Sequence, residues 1–221
     1  MINKQKYLDR QTFVKHLFDG MHIMVGGFMT CGTPEQLIDW LLESNIKDLT
    51  IICNDAGYPE AGVGKLIAAG RVRSLIASHI GLNPIAGTKM SDGTLDVTLV
   101  PQGTLAEQIR AGGAGLGGFL TPTGLNTPAE EGKERLEVDG QPYILERPLR
   151  ADLALIKARQ VDRYGNLNYA KTARNFNPVM ATAAKLVCVE ATERIQVMDP
   201  EVVITPHVLV DYILAEVRDG R

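Results

Sequence analysis

The chain has 221 residues, 45% hydrophobic and 22% charged, the balance of a globular protein that can bury a full core. A net charge of −3 leaves no basic surface for nucleic acid, and no apolar run approaches the ~20 residues of a membrane-spanning helix. The opening MINKQKYLDRQTF has no signal-peptide core, and Cys31, Cys53 and Cys188 with four scattered histidines form neither a disulfide framework nor a metal site. The expectation is a cytoplasmic protein without a nucleic-acid or membrane partner.

In chain order, short β-branched runs alternate with helix-like segments. Strands are predicted at His22–Val25, Leu49–Cys53, Val72–Ala77, Leu95–Val100, Leu153–Lys157 and Leu186–Val189. After the first strand, Thr33 reads as an N-cap, with Pro34 in the first turn and Gln36 closing a capping box. Leu37, Ile38, Leu41 and Leu42 then form one helical stripe. TLAEQIRA, residues 104–111, is a second helical pattern. Residues 119–150 interrupt the alternation with four prolines and a hairpin-like run, RLEVDGQPYIL, turning at Asp139-Gly140. Near the end, Thr205-Pro206 repeats the helix-start signal, and Val208, Leu209, Tyr212 and Ile213 give a stripe. The pattern implies an α/β fold: one domain over residues 1–221, an open, mainly parallel sheet covered by helices on both faces, with a small antiparallel excursion near 119–150.

Two glycine clusters stand out. VGGFMTCGTP, residues 25–34, places Gly26 and Gly27 between a strand and a helix, at the carboxyl edge where open α/β sheets bind ligands. Such glycines allow close backbone approach to a ligand, or simply a tight turn. The second cluster, GAGLGG at Gly113–Gly118, has the spacing of a dinucleotide fingerprint but follows a helix and runs into FLTPTG. A fingerprint must follow a strand and open a helix, so nicotinamide or flavin binding is not expected here.

DGMHIMVGGFMTCGTP at residues 19–34 resembles the N-terminal signature of the family I CoA-transferases. Further matches follow in VPQGTLAEQIRAGGAGLGGFLTPTG at 100–124, LERPLRADLALIKA at 145–158 and ARNFNP at 173–178. Within the family, the sequence is most similar to the α subunits of bacterial acetate, butyrate and acetoacetate CoA-transferases.

The resemblance implies a β-subunit partner in an α2β2 heterotetramer, with the nucleophilic glutamate in the partner's Ser-Glu-Asn-Gly motif. This chain lacks that motif; Glu43-Ser44-Asn45 has the wrong order. No catalytic residue is therefore expected here. Coenzyme A enters as substrate, no permanent cofactor or metal is implied, and CoA moves between a short-chain acyl-CoA and a short-chain acid by a ping-pong route through a glutamyl-CoA thioester. The resemblance assigns CoA contact to Gly26, Gly27, Phe28, Met29, Thr30, Cys31 and Gly32, and substrate positioning to Gln102. Gln102 also reads as a turn residue, Cys31 as passive lining and His79 as a hydrogen-bonded loop residue. Leu82 stands where other members carry a polar or acidic residue, which leaves acyl specificity open. The alternative function is a non-catalytic small-molecule-binding module or a sugar-phosphate isomerase relative.

Overall fold

In the computed structural model, which describes residues 6–215, the chain runs α1 (Arg10–Val14), β1 (His22–Val25), α2 (Glu35–Glu43), β2 (Leu49–Cys53), α3 (Val63–Ala68), β3 (Val72–Ala77), α4 (Pro84–Ser91), β4 (Asp96–Leu99) and α5 (Gln102–Gly113). It continues with β5 (Phe119–Thr121), β6 (Arg135–Val138), β7 (Gln141–Glu146), β8 (Ala151–Val161), β9 (Leu167–Asn168), α6 (Asn177–Met180), β10 (Ala184–Arg194) and β11 (Tyr212–Ala215). The main sheet has the order β11-β10-β8-β1-β2-β3-β4, parallel throughout, with β9 antiparallel beside β8. From β1 the chain steps outward through β2, β3 and β4, then returns to β8 on the other side of β1. The carboxyl end of β1 is thus the topological switch point of the sheet.

Side-chain alternation along the strands divides the core. Ile23, Val25, Ile51, Leu75, Leu153 and Leu155 face a cluster completed by Phe13, Leu37, Ile38, Leu41 and Leu66 from α1, its neighbour α2, and α3. Met24, Ile52, Ala154, Ile156, Val187 and Val189 face the opposite cluster, completed by Leu105 and Ile109 of α5 and Met180 of α6. Both faces are therefore covered.

The excursion is a separate three-stranded antiparallel sheet, β5-β7-β6. Its β6–β7 hairpin turns at Asp139 (φ 51°) and Gly140 (φ 74°), consecutive positive dihedrals of the kind a tight hairpin demands. A buried carboxylate anchors it: Glu146 accepts from Gln108 of α5 at 2.8 Å and pairs with Lys133 at 2.7 Å.

Three expectations need correction. The predicted helix after Thr205-Pro206 is a short 3₁₀ turn at His207–Leu209 followed by β11, which pairs in parallel with β10. Val208 of the supposed stripe is 75% exposed. β-Branched residues and an open sheet edge outweigh the helical spacing, and buried Thr205 bonds the Tyr169 hydroxyl at 2.6 Å rather than capping a helix. Second, Pro34 occupies the N-cap of α2 and makes no side-chain cap; the Gln36 and Leu37 amides donate instead to Glu190 of β10, at 2.8 and 3.2 Å. A distant carboxylate replaces the local capping box. Third, β8 and β10 each extend for 11 residues, well beyond the predicted apolar runs, because polar residues continue the ladder.

Candidate functional site

The loop leaving β1 is held by side chains from two other segments, the end of β2 and the turn into α6. The Gly27 amide donates to Asn175 Oδ1 (3.1 Å), the Met29 amide to Asp55 Oδ2 (2.9 Å), and Asn54 Nδ2 donates to the Gly27 carbonyl (2.9 Å). Asn175 Nδ2 reaches the Cys31 carbonyl and Asn177 Nδ2 the Gly32 carbonyl, both at 3.0 Å. Phe28 and Cys31 exchange backbone hydrogen bonds across the tip. Met29 (φ 46°) and Thr30 (φ 65°) are thereby kept in the left-handed region that non-glycine residues normally avoid. The loop is a preorganised turn.

This bonding explains the glycines differently from the close approach of a ligand. A Cβ on Gly26 would lie 1.8 Å from Asn177 Oδ1, and one on Gly27 would lie 2.0 Å from Thr33 Oγ1, with φ +123° adding strain. At Gly32 the obstacle is the Ala173 carbonyl, 2.5 Å away. The glycines make room for the chain's own side chains and backbone. The amides of Gly26, Gly27, Phe28, Met29 and Cys31 all have acceptors within the protein. Among the described loop residues, those of Thr30, Gly32 and Thr33 have none.

Carboxylates around the loop are equally committed. Asp55 accepts from Met29 and Gly57, Glu35 from Gly62 and Lys65, and Glu190 from Gln36, Leu37 and Lys157, the last at 2.6 Å. Each satisfies buried or half-buried donors. A carboxylate so engaged is a structural acceptor rather than a free nucleophile.

Gln102 is the first residue of α5, where the sequence left a turn open. Its Nε2 donates to Asn54 Oδ1 at 2.5 Å, while its amide oxygen contacts the Ser78 hydroxyl. That hydroxyl also lies 2.8 Å from the Asn54 carbonyl and can donate to one acceptor at a time. Asn54, 2% exposed, therefore ties the glycine loop to Gln102 through one carboxamide. One Nε2 hydrogen of Gln102 has no acceptor within the protein.

With this geometry in view, the comparisons decide the family. Residues 9–216 match the family described as Coenzyme A transferase. The chain belongs to the coenzyme A transferase family. The acetate CoA-transferase subunit alpha of Escherichia coli (strain K12) is 54% identical over 96% of this chain and 97% of its own length. The acetoacetyl-CoA:acetate/butyrate CoA transferase alpha subunit of Clostridium acetobutylicum is 54% identical over 90% of this chain and 92% of its own. Among solved structures, glutaconate coenzyme A-transferase from Acidaminococcus fermentans superposes with TM-score 0.81 at 20% identity, over 94% of this chain and 74% of that one. An acyl-CoA transferase from E. coli O157:H7, in a thioester complex with CoA, gives TM-score 0.84 at 20% identity, over 100% of this chain and 52% of that one. These two likenesses establish the fold. The reading as a binding module or isomerase relative loses its support.

In this transferase-family chain, the structure brings together residues 26–32 and Gln102 through Asn54. Cys31 is exposed, 3.6 Å from the Thr172 hydroxyl. His79 is exposed beside Gly81, and Leu82 is half-buried just ahead of Asn83, which caps α4 by accepting from Ala86. Glu43 pairs with Arg10 at the solvated end of α2, away from the loop. The GAGLGG segment ends α5 and leads into β5, so it has no strand-to-helix turn for a dinucleotide. Sequence reasoning missed Asn54, Asp55, Asn175 and Asn177 as the builders of the loop. The ARNFNP run was the available signal, since paired asparagines beside a glycine loop offer donors and acceptors on short side chains.

Proposed function

We propose that this chain is the α subunit of a heteromeric CoA-transferase. It moves CoA between a short-chain acyl-CoA (acetyl, butyryl or acetoacetyl) and a short-chain carboxylic acid. The observation that carries this reading is the 54% identity to two named α subunits over nearly their whole length, joined to a site whose own carboxylates are all engaged. The nucleophilic glutamate then comes from a β subunit, with α2β2 as the assembly and the cytoplasm as the compartment.

In this proposal residues 1–221 act as one domain, and residues Gly26 to Gly32 line the CoA thioester as a stiff wall. Its unpaired amides at Thr30 and Gly32 are the donors left for a developing oxyanion. Gln102 offers its remaining amide hydrogen to the acid substrate without competing as a nucleophile. Exchange proceeds through a mixed anhydride and a glutamyl-CoA thioester on the partner, which divides one hard acyl exchange into easier steps. Excluding water protects both intermediates from hydrolysis.

Reconstitution tests the reading. The purified chain alone should show no CoA transfer, and mixing it with its β partner should give a complex with turnover on acetyl-CoA and butyrate. Full activity from the chain by itself would refute it.

A further inference from the structure

The strand β6 is the open edge of the small sheet, and its 4 residues are all exposed. We propose that this edge pairs antiparallel with β6 of a second copy of this chain, about a twofold axis at Leu136, joining the two small sheets into one. The inference does not depend on the transferase reading, because strand pairing between copies needs neither CoA nor a β subunit.

Backbone alternation decides which groups the edge offers. The Leu145 amide donates to the Glu134 carbonyl at 2.9 Å, so along the β6–β7 ladder the pairs Leu136–Tyr143 and Val138–Gln141 exchange hydrogen bonds, and the intervening Arg135–Ile144 and Glu137–Pro142 do not. Pro142 fits this alternation, since it has no N–H to give. The amides and carbonyls of Arg135 and Glu137 therefore point out of the sheet, where they meet no backbone partner among the described residues. Such an edge is a template for another strand.

Charge then fixes the register. With Leu136 opposite its own copy, Arg135 faces Glu137 of the second copy and Glu137 faces its Arg135; each pair exchanges both backbone hydrogen bonds and sets opposite charges side by side. Within its own chain Glu137 has no cationic partner among the described residues, and Arg135 reaches Glu130 only at 3.4 Å. A slip of two residues would set Arg135 against Arg135 or Glu137 against Glu137. A slip of one would set outward backbone groups against inward ones.

The apolar side chains agree with this register. Leu120, Leu136, Val138, Tyr143 and Leu145 share one face of the small sheet, while buried Ile144 and Glu146 mark the other, where Glu146 bonds Gln108 of α5. The first face turns away from α5 and leaves Leu120, Leu136 and Val138 39%, 36% and 42% exposed. In the pairing, Leu136 meets Leu136 across the axis and each Val138 lies diagonal to the other copy's Leu136, so both leucines and both valines leave water together.

Sedimentation of the purified chain at rising concentration reads the contact without any activity measurement. The wild-type chain should pass from monomer to dimer. Arg135→Glu and Glu137→Arg each set like charges opposite one another in both pairs and should weaken the dimer about tenfold. Combining the two in one chain, or mixing the two single variants in equal amounts, makes the opposed charges complementary again and should restore the dimer. A chain that stays monomeric up to about 1 mM would overturn the contact, as would a dimer indifferent to both charge reversals. Single variants rescued by neither the double variant nor the mixture would overturn the register. Leu136→Cys gives a second readout independent of charge: residues opposed in a pair without hydrogen bonds bring their Cα atoms to about 4.5 Å, within disulfide reach, so mild oxidation should give a dimer joined at position 136. Dimers joined only through the exposed Cys31 would count against the pairing.

Discussion

Asn177 stands where a side chain on Gly26 would have to be: its Oδ1 lies 1.8 Å from the Cβ position. The same carboxamide accepts from the Lys157 amide at 2.9 Å and donates to the Gly32 and Ala173 carbonyls at 3.0 and 2.9 Å. It is locked on all sides. Gly26→Ala should therefore act on stability first, costing about 1–3 kcal/mol by overpacking. Chemical denaturation of the variant measures this directly. Wild-type stability combined with lost CoA transfer would return the glycine requirement to a ligand.

Asn175 holds the opposite flank of the loop, accepting from Gly27 and donating to Cys31. Asn175→Ala leaves an amide and a carbonyl unpaired, at a cost of about 1–3 kcal/mol. With the loop lining the CoA thioester as proposed, turnover in the reconstituted complex should fall further, by roughly 10–100-fold. Thermal unfolding and steady-state kinetics on one preparation separate the two effects. Loss of stability with full turnover would show that the loop's shape does not matter to catalysis.

Much of this arrangement is legible in the sequence. The parallel alternation, the hairpin at Asp139-Gly140 and the loop at the end of β1 follow from β-branched runs, turn residues and glycine spacing, all local signals. What escaped was long-range. Glu190 caps a helix more than 150 residues earlier in the chain, and Asn175 and Asn177 reach the loop across a similar separation. Nothing in the spacing of Thr33 and Gln36 reveals that a buried carboxylate has taken over their task. The last segment failed for the opposite reason: Val208, Leu209, Tyr212 and Ile213 fit a helical stripe, yet the first two fall in a 3₁₀ turn and the last two pair along the sheet edge beside β10.

Acid sensitivity should localise to the turn after β8. Asp162, 1% exposed, accepts from the Tyr164, Gly165 and Asn166 amides, the Asn166 side chain and the Met198 amide. Burial pushes its carboxyl up, but the hydrogen bonds, led by Asn166, outweigh burial and hold it below the usual range. A depressed folded pKa contributes stability that is present above the unfolded value of about 3.9 and is lost as pH falls through the folded value. Asp162→Asn should thus be about 1–3 kcal/mol less stable than wild type at pH 7, with the gap closing below about pH 4. A gap independent of pH would contradict the role of the charge.

The three cysteines should separate by accessibility. Cys31 is exposed in the loop, whereas Cys53 and Cys188 are 3% and 0% exposed and burial pushes both thiols up. A thiol reagent should label Cys31 alone in the folded chain and all three after denaturation. Rapid native labelling of Cys53 would mean that the end of β2 is open to solvent.

The central claim is that this chain shapes an active site whose nucleophile belongs to another chain. Incubating the reconstituted complex with acetyl-CoA and then borohydride should reduce a glutamyl-CoA thioester, and mass spectrometry of the separated subunits should place the reduced glutamate on the β partner alone. A reduced glutamate on this chain would contradict the account.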